Sequence, residues 1–110
     1  MTAEDRRRIE LAVPEQKELA SLVKWLATTP GVEVSRVAGK PGVGEQGALD
    51  TLTVLGGSGA LIAAVRVLPQ YLRSRRTGLR ITMKFRGEEF TLEATNIDDI
   101  MPVLERLLDD

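Results

Sequence analysis

The residues of this 110-residue chain that come closest to a catalytic motif lie between Gly56 and Ala60, where the sequence reads GGSGA. The pentapeptide approaches the G-x-S-x-G pattern, in which a strained turn exposes a nucleophilic serine. Here Ala60 replaces the last glycine, and the chain has no histidine that could take a proton from Ser58. A serine nucleophile would need a lysine base, and Lys40 is the nearest on the N-terminal side. The sequence therefore favours a packing role for Ser58 over a catalytic one.

Two missing residue types exclude most other catalytic and metal-binding chemistry. The chain contains neither histidine nor cysteine, which removes Ser-His-Asp triads, thiolate nucleophiles and the usual zinc sites. We therefore expect a protein that is not an enzyme and that has no cofactor and no metal. The absence of cysteine fits a reducing compartment, and the N-terminal residues lack an apolar signal segment. Both observations favour a cytoplasmic location.

A second glycine pattern resembles a nucleotide-binding motif. Gly42, Gly44 and Gly47 spell G-x-G-x-x-G. A dinucleotide fingerprint also needs an acidic residue about 20 positions further on to bind the ribose, and the segment from Thr51 to Gly87 contains none. The glycines from Gly39 to Gly47 are therefore predicted to form a mobile connector.

Charge is divided sharply along the chain. The segment from Thr51 to Gly87 has a net charge of +7, whereas residues 88–110 have a net charge of −7. Such segments either neutralise each other within the fold or bind charged partners. We expect the basic residues at the end of the middle segment to form a partner-binding surface that docks on an acidic protein or on a second copy of the chain. These residues are Arg73, Arg75, Arg76 and Arg80.

The uncharged run from Thr51 to Val65 could suggest a membrane span. As a helix it would measure about 22 Å, which is short of the roughly 30 Å of bilayer hydrocarbon. Extending the run places Arg66 inside the membrane at an energetic cost, so a membrane role is disfavoured. Nucleic acid is also disfavoured, because only one aromatic residue, Tyr71, lies near the arginines. Membrane association and nucleic-acid binding through the segment 51–76 remain the alternative to protein binding.

Packing gives a simpler account of the same run. Gly56, Ala60 and Ala64 recur every four residues, and on a helix they would form a stripe without bulk against which another backbone can pack closely. The helical pattern is ambiguous from residue 48 to residue 55. A short strand from Leu52 to Leu55 that ends at the glycines is the competing interpretation.

The remaining patterns predict one small α/β (α+β) domain over residues 1–110, with the order βαβαββα. Apolar residues at helical spacing follow Pro14 and again follow Asn96. The strict alternation from Leu79 to Phe85, followed by a turn at Arg86 to Glu88 and by the segment from Phe90 to Ala94, predicts a β-hairpin. We expect a mixed sheet of about four strands with helices mainly on one face, and the first two strands parallel across the first helix. The predicted strands are Arg7 to Val13, Val32 to Val37, Leu79 to Arg86 and Glu89 to Thr95.

Three motifs carry a resemblance to a known family. They are the Gly-Ala-Leu-Asp at Gly47 to Asp50, the Gly-Ser-Gly at Gly57 to Gly59 and the arginine-rich end at Tyr71 to Arg76. With the hairpin and the acidic final helix, the chain resembles the effector-associated constant component proteins of actinobacterial conflict systems over nearly its whole length. The resemblance implies a small non-enzymatic component of bacterial immunity that binds peptidase-type effectors or sensors as adaptor, regulator or substrate. It implies no catalytic residues.

Overall fold

The computed structural model describes residues 7–39, 50–75 and 78–109. This part of the chain forms five strands and four helices. The elements are β1 (Arg7–Ala12), α1 (Gln16–Ala27), β2 (Glu33–Val37), β3 (Thr51–Gly56), α2 (Ser58–Val65), α3 (Leu68–Ser74), β4 (Ile81–Phe85), β5 (Glu88–Leu92) and α4 (Ile97–Asp109). The expected α+β class is confirmed.

The five strands form one sheet in the order β2-β3-β1-β4-β5, and every pairing is antiparallel. The predicted count of four strands and the predicted mixed sheet are therefore wrong. The first two strands are also not neighbours, because β3 lies between them and pairs with both. The right-handed crossover rule fixes the hand of a connection, and it does not require the two strands to be adjacent.

Residues 51–56 decide the ambiguity between helix and strand in favour of the strand. Leu52 and Val54 are fully buried while Thr51 and Thr53 are partly exposed, which is the two-residue alternation of a half-buried strand. The helical interpretation of residues 50–55 is therefore wrong, and residues 48 and 49 lie outside the described part. The added strand changes the predicted order βαβαββα to βαββααββα.

The apolar run that follows β3 forms two short helices. Pro69 lies at the start of α3, where it has no N–H to donate to the carbonyl of Val65 and its ring would clash with that carbonyl in a continuous helix. Helix α2 therefore ends at Val65, and α3 begins at Leu68. No helix in the described ranges is long and apolar enough to cross a membrane.

The hairpin predicted around Arg86 and Gly87 is confirmed. Both residues have positive φ angles, 54° and 83°, as a two-residue type I′ turn requires. The turn brings Phe85 opposite Glu88 and sets the register of β4 and β5.

The helices cover one face of the sheet, as expected. Alternate residues of the central strands point to that face and are buried there. Together with apolar residues of all four helices they form one core; its strand members are Ile9, Leu11, Leu52, Val54, Ile81, Met83, Phe85 and Leu92. The core places α2 and α3 beside α4, so that the basic middle of the chain meets its acidic end.

Candidate protein-interaction surface

Within the described residues, the ion pairs of Arg66, Arg73 and Arg80 join the basic middle segment to the acidic end of the chain. Arg66 Nε lies 3.1 Å from Glu105 Oε2, and Arg80 Nε lies 2.8 Å from Glu93 Oε2. Arg73 donates to Asp98 Oδ1. The charge division seen in the sequence is thus partly neutralised within the fold.

The elements explain why these residues meet. Asp98 and Glu105 are seven residues apart on α4, so they lie on the same side of the helix about 10.5 Å apart. Arg66 and Arg73 are also seven residues apart, at the ends of α2 and α3. Arg80 pairs differently, because it precedes β4 at the position opposite Glu93 across the hairpin. The shared spacing of seven was the sequence signal that could have identified Arg66, Glu105 and Asp98 as members of this surface.

These pairs are open to solvent. The side chains of Arg66, Arg73 and Arg80 are 63%, 51% and 61% exposed. Arg66 holds the pKa of the Glu105 carboxyl below its ordinary value through its hydrogen bond and its charge. Exposed ion pairs contribute little to folding, because solvent screens their attraction.

Arg75 lies in a different environment from Arg73, although only two residues separate them. Its Nε is 3.4 Å from Glu18 Oε1, and its guanidinium donates to the hydroxyl of Ser21. The guanidinium also lies over the ring of Tyr71, 4.7 Å from the ring centroid. These contacts join the end of α3 to α1. Of the other predicted binding residues, Arg80 pairs as described and Arg76 lies outside the described residues.

The hydroxyl of Tyr71 belongs to the same cluster. It lies 3.0 Å from Glu18 Oε1, and the ring meets Trp25 edge to face with centroids 5.2 Å apart. The side chain is fully buried. Burial raises the pKa of the Tyr71 phenol, because it penalises the phenolate.

This raised pKa makes Tyr71 a probe of alkaline unfolding. A proton held more tightly in the folded state adds stability that is present below the ordinary phenol pKa of about 10 and is lost as the pH rises through the folded pKa. We expect the ultraviolet absorbance of tyrosinate to appear only above about pH 10, together with the loss of far-ultraviolet circular dichroism. Tyr71 is the only tyrosine, so the signal is unambiguous. Ionisation at an ordinary pKa in a folded chain would contradict the buried position.

The small residues Gly56, Ala60 and Ala64 lie at a close contact between the end of β3 and α2. Gly56 is the last residue of β3, so the three do not form one helical stripe. A Cβ atom built on Gly56 would lie 3.0 Å from the carbonyl oxygen of Gly31 and 3.4 Å from Ala60 Cβ. Ala64 is fully buried on α2. The tightest of these approaches is that of Gly56 to the backbone of Gly31.

Of the motifs considered for catalysis and cofactor binding, the structure describes the segment around Ser58. Ser58 is the first residue of α2, and no group of acidic residues suited to a metal ion occurs in the described ranges. Residues 40–49, which include Gly42, Gly44, Gly47 and Lys40, lie outside the described part. The ion pairs of Arg66, Arg73 and Arg80 instead form a surface of exposed charges.

A model of the family described as Effector Associated Constant Component 1 matches residues 12–109. The match begins in the first strand and ends in the last helix, so it includes the whole surface described above. No curated protein matches the chain, and no solved structure matches it.

Proposed function

Because this chain belongs to the Effector Associated Constant Component 1 family, we propose that it is a non-enzymatic protein-binding component of a bacterial conflict system, located in the cytoplasm. It would bind a peptidase-type effector or its sensor as adaptor, regulator or substrate. The family description supports association with an effector. The single observation that supports binding by charge is that Arg66, Arg73 and Arg80 are exposed and that their internal carboxylate partners also reach solvent.

The proposed docking surface includes the four arginines predicted from the sequence, Arg73, Arg75, Arg76 and Arg80, and adds Arg66. Arg66 and Arg73 present two charges separated by two helical turns, because their partners lie seven residues apart on α4. A shallow groove between α2 and α4 lies beside Arg66. An acidic surface of a partner can bind here by replacing the internal carboxylates.

The internal carboxylates compete with that partner for the arginines. Removing the arginines and removing the carboxylates should therefore change the binding affinity in opposite directions. Changing Arg73 and Arg80 together to glutamine removes the docking charges and should weaken binding about tenfold, or about 1.4 kcal/mol. Changing Asp98→Asn and Glu93→Gln together frees the same arginines and should strengthen binding. Pull-downs and titrations with the protein products of neighbouring genes measure both effects.

Lys24→Gln provides the matched control. Lys24 is an exposed cation in the last turn of α1, away from the three ion pairs, so its loss should leave binding unchanged. Each pull-down is repeated after nuclease treatment. Unchanged binding of the arginine variant, or equal weakening by the two double variants, would show that these charges do not dock the partner. Binding that disappears with nuclease would identify nucleic acid as the partner instead.

A further inference from the structure

One side of α4 carries apolar residues that the core does not fully cover. Ile100, Val103 and Leu107 follow the spacing of successive helical turns. Ile100 and Leu107 are partly buried against the core, whereas Val103 is 49% exposed. A shallow, mostly apolar groove passes over Pro102, Val103 and Leu107. This set of residues, Ile100, Val103 and Leu107, is called the α4 strip below.

The α4 strip is centred on a different side of α4 from the docking surface, and Pro102 and Arg106 lie between the two. Val103 and Glu105 are two residues apart, so at about 100° per residue they point about 160° apart around the helix. The Arg66–Glu105 and Arg73–Asp98 pairs therefore lie on the opposite flank of α4. An occupant of the strip would leave those arginines accessible.

The charges beside the strip indicate what covers it. Asp99 and Arg106 are exposed, lie seven residues apart and border the strip on the same side. Neither has an ion-pair partner within the described residues. If two α4 helices cross antiparallel about a two-fold axis at Val103, Asp99 of each helix lies close to Arg106 of the other. The symmetry produces two such contacts. In a parallel pairing about a two-fold axis, Asp99 and Arg106 would instead face the apolar flank of the other helix and gain no opposite charge.

We propose that two copies of this chain associate through α4, antiparallel about a two-fold axis near Val103. The α4 strips of the two copies pack against each other, and Asp99 of each copy pairs with Arg106 of the other. A second copy is the occupant because the strip and its bordering charges complement themselves under this symmetry. The dimer presents its two docking surfaces outward, which suits bivalent binding of an effector.

The test is the oligomeric state of the whole chain, measured by analytical ultracentrifugation over a concentration series. The wild type should be a dimer that dissociates on dilution. Val103→Glu should be monomeric, since it places charges at the axis. Val37→Glu is the matched control, because Val37 is a valine of similar exposure, 47%, on the edge strand β2. It should remain dimeric. Circular dichroism establishes that each variant is folded.

Charge reversal tests the antiparallel geometry itself. Asp99→Arg alone and Arg106→Asp alone each create two like-charge contacts and should raise the dissociation constant about tenfold. The double variant restores opposite charges and should return it to the wild-type value. A monomeric wild type, dissociation by Val37→Glu but not by Val103→Glu, or additive weakening in the double variant would overturn the proposal. None of these measurements depends on the effector, so they stand apart from the test of function.

Discussion

Ala64→Leu and Ala60→Leu are each expected to lower the free energy of unfolding by about 1 to 3 kcal/mol, because added bulk in a packed contact forces the backbone to move. Ala64 is fully buried on α2. A Cβ built on Gly31 would lie 3.1 Å from the Cβ of Ala60, so α2 approaches the backbone of Gly31 closely at this point. Thermal and denaturant unfolding measure the change.

Ser58→Ala is the control for both variants. Ser58 lies on the same helix and is only partly buried, so its truncation should change the free energy of unfolding by no more than about 0.5 kcal/mol. Equal stability of all three variants would mean that α2 does not pack closely on the sheet.

Arg75→Glu is expected to destabilise the fold much more than Arg73→Glu, although both reverse the charge of an arginine on the same short segment. Arg75 is 30% exposed and Glu18 is 17% exposed, so the change leaves one partly buried carboxylate facing another. The cost lies between that of an exposed and a buried pair, at about 2 to 4 kcal/mol. Arg73 and Asp98 are exposed, and the same change there should cost about 1 kcal/mol or less.

Urea unfolding of the two variants measures this difference. Equal losses of stability would show that the contacts of Arg75 with α1 contribute no more than a surface pair. The expected result also governs the choice of variants for binding experiments. A change at Arg75 would reduce binding by weakening the fold, whereas changes at Arg73 and Arg80 affect exposed charges alone.

Much of this protein follows from local sequence pattern. The β4–β5 hairpin is determined by alternating residues on both sides of two turn residues, and α1 and α4 follow from apolar residues at helical spacing. The absence of histidine and cysteine removes whole classes of catalysis without any structure. The division of charge along the chain indicated either neutralisation within the fold or binding of charged partners. These features depend on residues that are close together in the chain or on composition.

The tertiary structure decided what depends on distant residues. Leu52, Val54 and the nearby glycines fit both a helix and a strand locally, and only pairing with β1 and β2 makes them a strand. The same pairing sets the sheet order, which short-range periodicity does not specify. Arg73 and Arg75 are nearly equivalent in sequence, yet one meets Asp98 in solvent and the other packs against α1. Their roles differ because burial and ion pairing depend on which helix the fold places beside each side chain.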